Sequence, residues 1–111
     1  MSKIVYVNSS PSSITLDFNR EEVVQFKLSS AITGSKTLTI ANDSEAKGLF
    51  VSISVTTSAA ITLPTSFKCE STESRYVANV LTLTGTGTYT INAVYDGAYW
   101  LCKVTADGGY V

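Results

Sequence analysis

Histidine is absent from this 111-residue sequence. Its absence excludes Ser-His-Asp and Cys-His catalysis and every metal site built on imidazole. Cysteine occurs twice, as Cys69 and Cys102, with no CxxC spacing, so thiols alone cannot make a structural zinc site. In a reducing compartment the default for such a pair is two free thiols, and a bridge requires that their strands be neighbours. Charge is scarce: Asp, Glu, Lys and Arg make up 15% of the chain, against an average of about 25%. The formal net charge is −1, and the basic residues are scattered singly. Phosphate neutralisation needs clustered cations, so neither nucleic acid nor a membrane surface is an expected partner. No apolar run reaches the ~18 residues of a spanning helix. The start, Met1 to Asn8, turns polar too soon for a signal peptide. The sequence therefore predicts synthesis and first use in a cytoplasm. Asn8 and Asn42 head Asn-x-Ser triplets. In a chain so rich in hydroxyls these read as coincidence.

Serine and threonine fill the space that charge leaves, with 15 of each. Threonine suits a pleated surface through its branched Cβ, and serine suits turns. A neutral hydroxyl surface also costs little to bury against another protein. Hydrophobic residues make up 44% and the length suits a single domain, 1–111, with one core.

Period-two alternation runs through the chain. It is clear in Ile14-Leu16-Phe18, Val24-Phe26-Leu28, Leu38-Ile40 and Leu49-Val51-Ile53-Val55. It returns in Ile61-Leu63 (stopped by Pro64), Leu81-Leu83, Tyr89-Ile91-Ala93 and Trp100-Cys102-Val104. Each run predicts a half-buried antiparallel strand. Ile4–Val7 reads as a short extra strand, apolar on both faces. Arg20-Glu21-Glu22 favours a helix, but the apolar set behind it has period two, so a strand is expected there after a turn at 19–22. Thr33–Lys36 reads as a tight turn, and Asn42–Gly48 as one helical turn with capping residues in front and Gly behind. Thr84–Thr88 reads as a flexible hairpin connection, and Asp96-Gly97 as a type I′ hairpin turn. Strands recurring every eight to twelve residues predict an all-β fold. The expected form is an antiparallel β-sandwich or jelly-roll-like barrel of about eight short strands.

Catalytic arrangements are few. Ser44-Glu45-Ala46-Lys47 matches S-x-x-K, but the partner motifs are missing. Glu21/Glu22, Asp43/Glu45 and Glu70/Glu73 all fall in predicted turns, where solvated charge is the simpler reading than an acid/base pair. Asn42–Glu45 offers oxygens to a calcium ion without EF-hand spacing. No enzyme, cofactor or metal is expected. Among the aromatics, Trp100 and Tyr89 read as core. Tyr95 and Tyr99 read either as cover for cross-strand neighbours or as a stacking platform and contact patch. Gly108-Gly109 followed by Tyr110-Val111 reads as a flexible joint and a docking tail, so the C-terminal stretch 106–111 is, with Ile4–Val7, an expected assembly element.

One stretch carries a resemblance. Ile61-Thr62-Leu63-Pro64, then Leu81-Thr82-Leu83-Thr84-Gly85-Thr86-Gly87-Thr88-Tyr89-Thr90-Ile91, Val94-Tyr95-Asp96-Gly97 and Trp100 resemble small β-domains of tailed-phage virion proteins. Head fibres, capsid decoration proteins and tail-fibre modules are of this kind. The resemblance covers residues 61–104 and brings no catalytic residues with it. It implies a virion structural protein, commonly trimeric. Fibre shaft repeats are absent, and a short chain starting at Met1 fits a separate capsid accessory or cement subunit better. The expectation is thus a homotrimer bound to a major capsid or other virion protein. Its contacts would run through Ile4, Val5, Tyr6, Val7, Tyr95, Tyr99, Tyr110 and Val111. The alternative is a receptor- or carbohydrate-binding module of a fibre or baseplate. A small hydrolase is a third reading, and it would need carboxylates converging in a pocket.

Overall fold

The structure, a computed structural model, describes residues 4–106. They form ten strands: β1 (Ile4–Val7), β2 (Ser13–Asp17), β3 (Val23–Leu28), β4 (Ile32–Ala41), β5 (Gly48–Thr62), β6 (Phe67–Cys69), β7 (Tyr76–Val77), β8 (Val80–Thr84), β9 (Gly87–Tyr95) and β10 (Trp100–Ala106). Among the described residues no helix is long and apolar enough to cross a membrane.

The pairings fall into two arms joined by the long strand β5. One arm runs β1-β3-β5-β9-β10-β6. The other consists of β2, β4, the distal part of β5, β8 and β7. The first five strands wind between the arms. Val5 lies beside Phe26 and Phe26 beside Val51 in one arm, while Ile14 lies beside Leu38 and Thr37 beside Thr62 in the other. Among these five strands, each crossover between parallel neighbours therefore runs through the opposite arm, where most parallel pairs use a helix.

The all-β, sandwich-like architecture agrees with the alternation, but the expected antiparallel pairing holds only in part. Five of the nine pairings among the described residues are parallel. A period of two sorts side chains between faces equally well in either direction, so alternation carries no information about polarity. There are ten strands because β6 and β7, of three and two residues, are too short to show a period.

Several local expectations change. Thr33–Lys36 is not a turn: it lies within β4, where Gly34 at φ +82° sits at a register shift beside Ile32. Ile61 belongs to the same strand as Leu49–Val55. Asn42–Gly48 contains a single turn, closed by the Ala46 N–H donating to the Asp43 carbonyl at 3.0 Å, and no helical segment. The turn at 19–22 and strand after it stand as expected, with Asn19 and Arg20 both at positive φ.

Thr84–Thr88 does not join a hairpin. β8 and β9 do not pair with each other; both pair antiparallel with β5, Ser58 opposite Thr84 and Val55 opposite Gly87. The register is continuous across the gap, so β8 and β9 act as one bent strand running the length of β5. The type I′ geometry appears elsewhere, between β7 and β8, where Ala78 and Asn79 have φ of 52° and 68°. At Asp96-Gly97 a hairpin does form. Only Gly97 has positive φ there, and the four-residue loop is held by Asp96 Oδ1 accepting from the Ala98 and Tyr99 N–H groups at 2.9 and 2.7 Å.

One hydrophobic core fills the space between the arms. Its largest members form an aromatic chain. Phe18 meets Phe26 edge-on with centroids 5.4 Å apart and lies 5.7 Å from Trp100, which stacks on Phe67 at 5.8 Å. These rings come from four separate parts of the chain, so they tie the two arms at one end of the molecule. Trp100 and Tyr89 are buried, as their sequence context suggested.

Candidate functional site

The outer face of the β1-β3-β5-β9-β10-β6 arm, turned away from the core, has an ordered composition. Strand register arranges it in rows. One row reads Val23, Gly48, Val94, Leu101, Lys68. The next reads Ile4, Gln25, Phe50, Asn92, Lys103, and the third Tyr6, Lys27, Ser52, Thr90, Thr105. Among the described residues, five of the eight exposed large hydrophobic side chains lie on this face: Ile4 (44% exposed), Tyr6 (64%), Val23 (67%), Val94 (62%) and Leu101 (50%). A scatter of single apolar residues is normal on a protein surface, whereas a grouped patch marks a contact site. Gly48 leaves a dent between Val23 and Val94, for the nearest atoms to a Cβ placed there, on Val23 and the Ala93 carbonyl, would be 3.7 Å or more away. A shallow groove of about 380 Å³ lies along the next two rows, lined by Ile4, Gln25, Lys27, Phe50 and their neighbours.

The expected contact residues divide. Ile4 and Tyr6 are on this face. Val7 is buried and Val5 is half-buried against the core, because alternation turns them inward. Those two side chains serve the chain's own packing, which corrects the expectation that Val5 and Val7 are contact residues. Tyr99 is exposed in the β9–β10 loop, with Lys68 Nζ 5.2 Å from its ring centre. Tyr95 is at the same end, its ring 5.2 Å from that of Trp100. Tyr110 and Val111 lie outside the described residues. Val23, Phe50, Val94 and Leu101 were not among the expected contact residues. Their signal was present as adjacent apolar pairs, Val23-Val24 and Trp100-Leu101, which put an apolar side chain on each face of a strand.

A second concavity, about 300 Å³, lies at the end of the sandwich where Tyr95 sits. Asp43, Ser44, Ala46, Ser66, Tyr95 and Trp100 line it. Ser44 is part of this lining and Lys47 is not, so the S-x-x-K pair does not meet there. Asp17 accepts from Asn42 Nδ2 at 2.9 Å, beside Asp43 of this lining, and from the Asn19 N–H at 2.8 Å. Those bonds, Asn42 first, hold its carboxyl below the usual carboxylate range. Glu73 is likewise lowered by Arg75, which grips it with two nitrogens at 2.6 and 2.8 Å and reaches the Val104 carbonyl at 3.3 Å. Glu73 is thus occupied as an anchor of the β6–β7 segment. Glu21, Glu22, Asp43, Glu45 and Glu70 are exposed. Among the described residues no three Cys, Asp or Glu groups converge as a metal ion would require.

Cys69 and Cys102 are free thiols, placed as direct neighbours across the parallel β6–β10 pairing.

No family model, curated protein or solved structure matches the chain.

Proposed function

We propose that this protein is a packing module that docks on a larger protein assembly through the outer face of the β1-β3-β5-β9-β10 arm. The observation that carries this reading is the grouping of Ile4, Tyr6, Val23, Val94 and Leu101 on one exposed face. Full burial of such side chains is worth roughly 1.5–3 kcal/mol each. The charges on that face are three lysines, Lys27, Lys68 and Lys103, and its polar groups are mainly hydroxyls and amides, so docking desolvates few ions. Combined with the resemblance of residues 61–104, the reading becomes more specific: a phage capsid decoration or accessory subunit, acting as a homotrimer on a shell.

The test has two arms. Mass spectrometry of purified virions should find this chain in stoichiometric copies; virions without it would sink the specific reading. A double variant, Val94→Lys with Leu101→Glu, places an opposite-charge pair on facing strand positions and so spares the fold. It should abolish particle binding at unchanged Tm. Undiminished binding would remove this face from the interface.

The end concavity favours a second reading, a glycan-binding module. Hydroxyl, carboxylate and aromatic groups converge there in Ser44, Ser66, Asp43 and Tyr95. Glycan-array binding lost in Tyr95→Ala, and kept in Tyr99→Ala, would favour it over shell docking.

A further inference from the structure

Cys69 and Cys102 are Cα partners in register on adjacent parallel strands. Neighbouring strands are about 4.8 Å apart, inside the roughly 4.4–6.8 Å separation of disulfide-linked Cα atoms. Facing residues in a parallel pair point to the same side of the sheet, and both side chains turn toward the core. Their thiols are close enough to hydrogen-bond to one another. The two differ in access: Cys69 is half-buried on the edge strand β6, and Cys102 is buried.

The geometry points to an oxidation site: Cys69 and Cys102 form an intrachain disulfide on exposure to a low-molecular-weight disulfide, locking the edge strand β6 onto β10. The Cys69 thiolate attacks one sulfur of oxidised glutathione and expels the first glutathione thiolate, leaving a mixed disulfide on Cys69. Cys102 then gives up its proton and attacks the Cys69 sulfur, expelling the second glutathione. Two cysteine thiols are oxidised and two glutathione thiols are produced, so electrons and protons balance. Cys69 is the entry point because an external disulfide can reach it. The neighbouring Cys102 thiol, which donates to the Trp100 carbonyl at 3.6 Å, also lowers the Cys69 pKa, which raises the thiolate fraction, while interaction with Cys69 and burial push the Cys102 thiol up.

The consequence is mechanical. β6 has three residues and, among the described residues, pairs only with β10. It leads into the segment that carries the Glu73–Arg75 pair and Tyr76, whose hydroxyl lies 3.0 Å from the Phe67 carbonyl and 2.9 Å from Asn79 Oδ1. A bridge at Cys69 would hold this segment in place and close a long loop in the unfolded chain.

The experiment treats the folded, reduced full chain with oxidised glutathione, then measures intact mass and alkylatable thiols after unfolding without reductant. The expected product is a monomer two hydrogens lighter, with no free thiol and a Tm raised by on the order of 10 °C. Cys102→Ala should stop at one glutathione adduct on Cys69, and Cys69→Ala should remain unmodified while folded. The inference is overturned if the wild-type chain keeps both thiols, stops at the glutathione adduct, links two chains instead, or forms a bridge that lowers Tm. None of these readouts depends on docking or glycan binding.

Discussion

The Gly85 N–H donates to the Thr57 carbonyl at 2.8 Å, in the same register that sets Ser58 opposite Thr84 and Val55 opposite Gly87. This contact marks the place where a two-stranded ribbon passes from one arm of the molecule to the other. Around it Thr56, Thr57 and Ser58 are all exposed, and the Thr33 hydroxyl reaches the Ser58 carbonyl at 3.0 Å. Thr86 donates its hydroxyl to the Thr56 carbonyl. The bend is therefore built from backbone and hydroxyl bonds rather than from packing.

Gly85 has φ +92°, and a Cβ there would meet no atom within 4 Å. Substitution by alanine removes no space and adds only backbone strain, so Gly85→Ala should cost about 1–3 kcal/mol. Gly85→Asn should cost less, since asparagine tolerates positive φ better. Urea unfolding of the three proteins measures the difference. Equal stability of Gly85→Ala and wild type would show that the bend does not need this conformation.

Ala78 lies at φ 52° in the two-residue β7–β8 turn, a conformation that glycine adopts without strain. Ala78→Gly should stabilise the protein by about 0.5–1 kcal/mol, because relief of the left-handed strain outweighs the added freedom of the unfolded chain. A rise in the urea midpoint at constant m-value checks it.

Phe18 is fully buried and contacts both Phe26 and Trp100. Phe18→Ala should destabilise by roughly 3–5 kcal/mol, a large part of the ~5–15 kcal/mol that a domain possesses. Because Trp100 is the single tryptophan, its fluorescence reports the loss of packing directly. An unchanged unfolding midpoint would mean that the aromatic chain does not tie the arms together.

Stability should fall on the acid side. Asp17 is lowered by Asn42 and the Asn19 N–H, Asp96 by the Tyr99 and Ala98 N–H groups, and Glu73 by Arg75. A carboxyl lowered in the folded state favours folding above its unfolded value, about 4, and that contribution disappears as pH drops through the folded pKa. Tm should therefore be steady from neutral pH down to about 5 and decline below about 4. In Asp17→Ala the decline should be shallower, with Tm already lower at pH 7.

Part of the candidate site was visible before the fold. Ile4 and Tyr6 stood out as apolar residues on a short strand, and Tyr95 and Tyr99 as aromatics around a tight turn. Val94 and Leu101 did not, because each sits beside a residue that the core takes up. Their grouping with Val23 and Gly48 depends on strand order, which joins three distant stretches of chain into one row. The Cys69–Cys102 pairing has the same origin. β6 is too short to show a period, so nothing local assigns it to the edge of β10.

The sequence by itself determined most of the core: alternation at Ile14-Leu16, Val24-Phe26-Leu28 and Trp100-Cys102-Val104 places each of these side chains there. It also determined that charge would be sparse on every face. Tertiary structure alone decided direction and partnership. It made β1, β3 and β5 parallel, and fused β8 and β9 into one bent partner of β5. The physical reason is that a two-residue period is a property of each strand alone. Polarity and neighbour choice are settled by contacts between segments far apart in the chain, where burial of the shared core selects the winding.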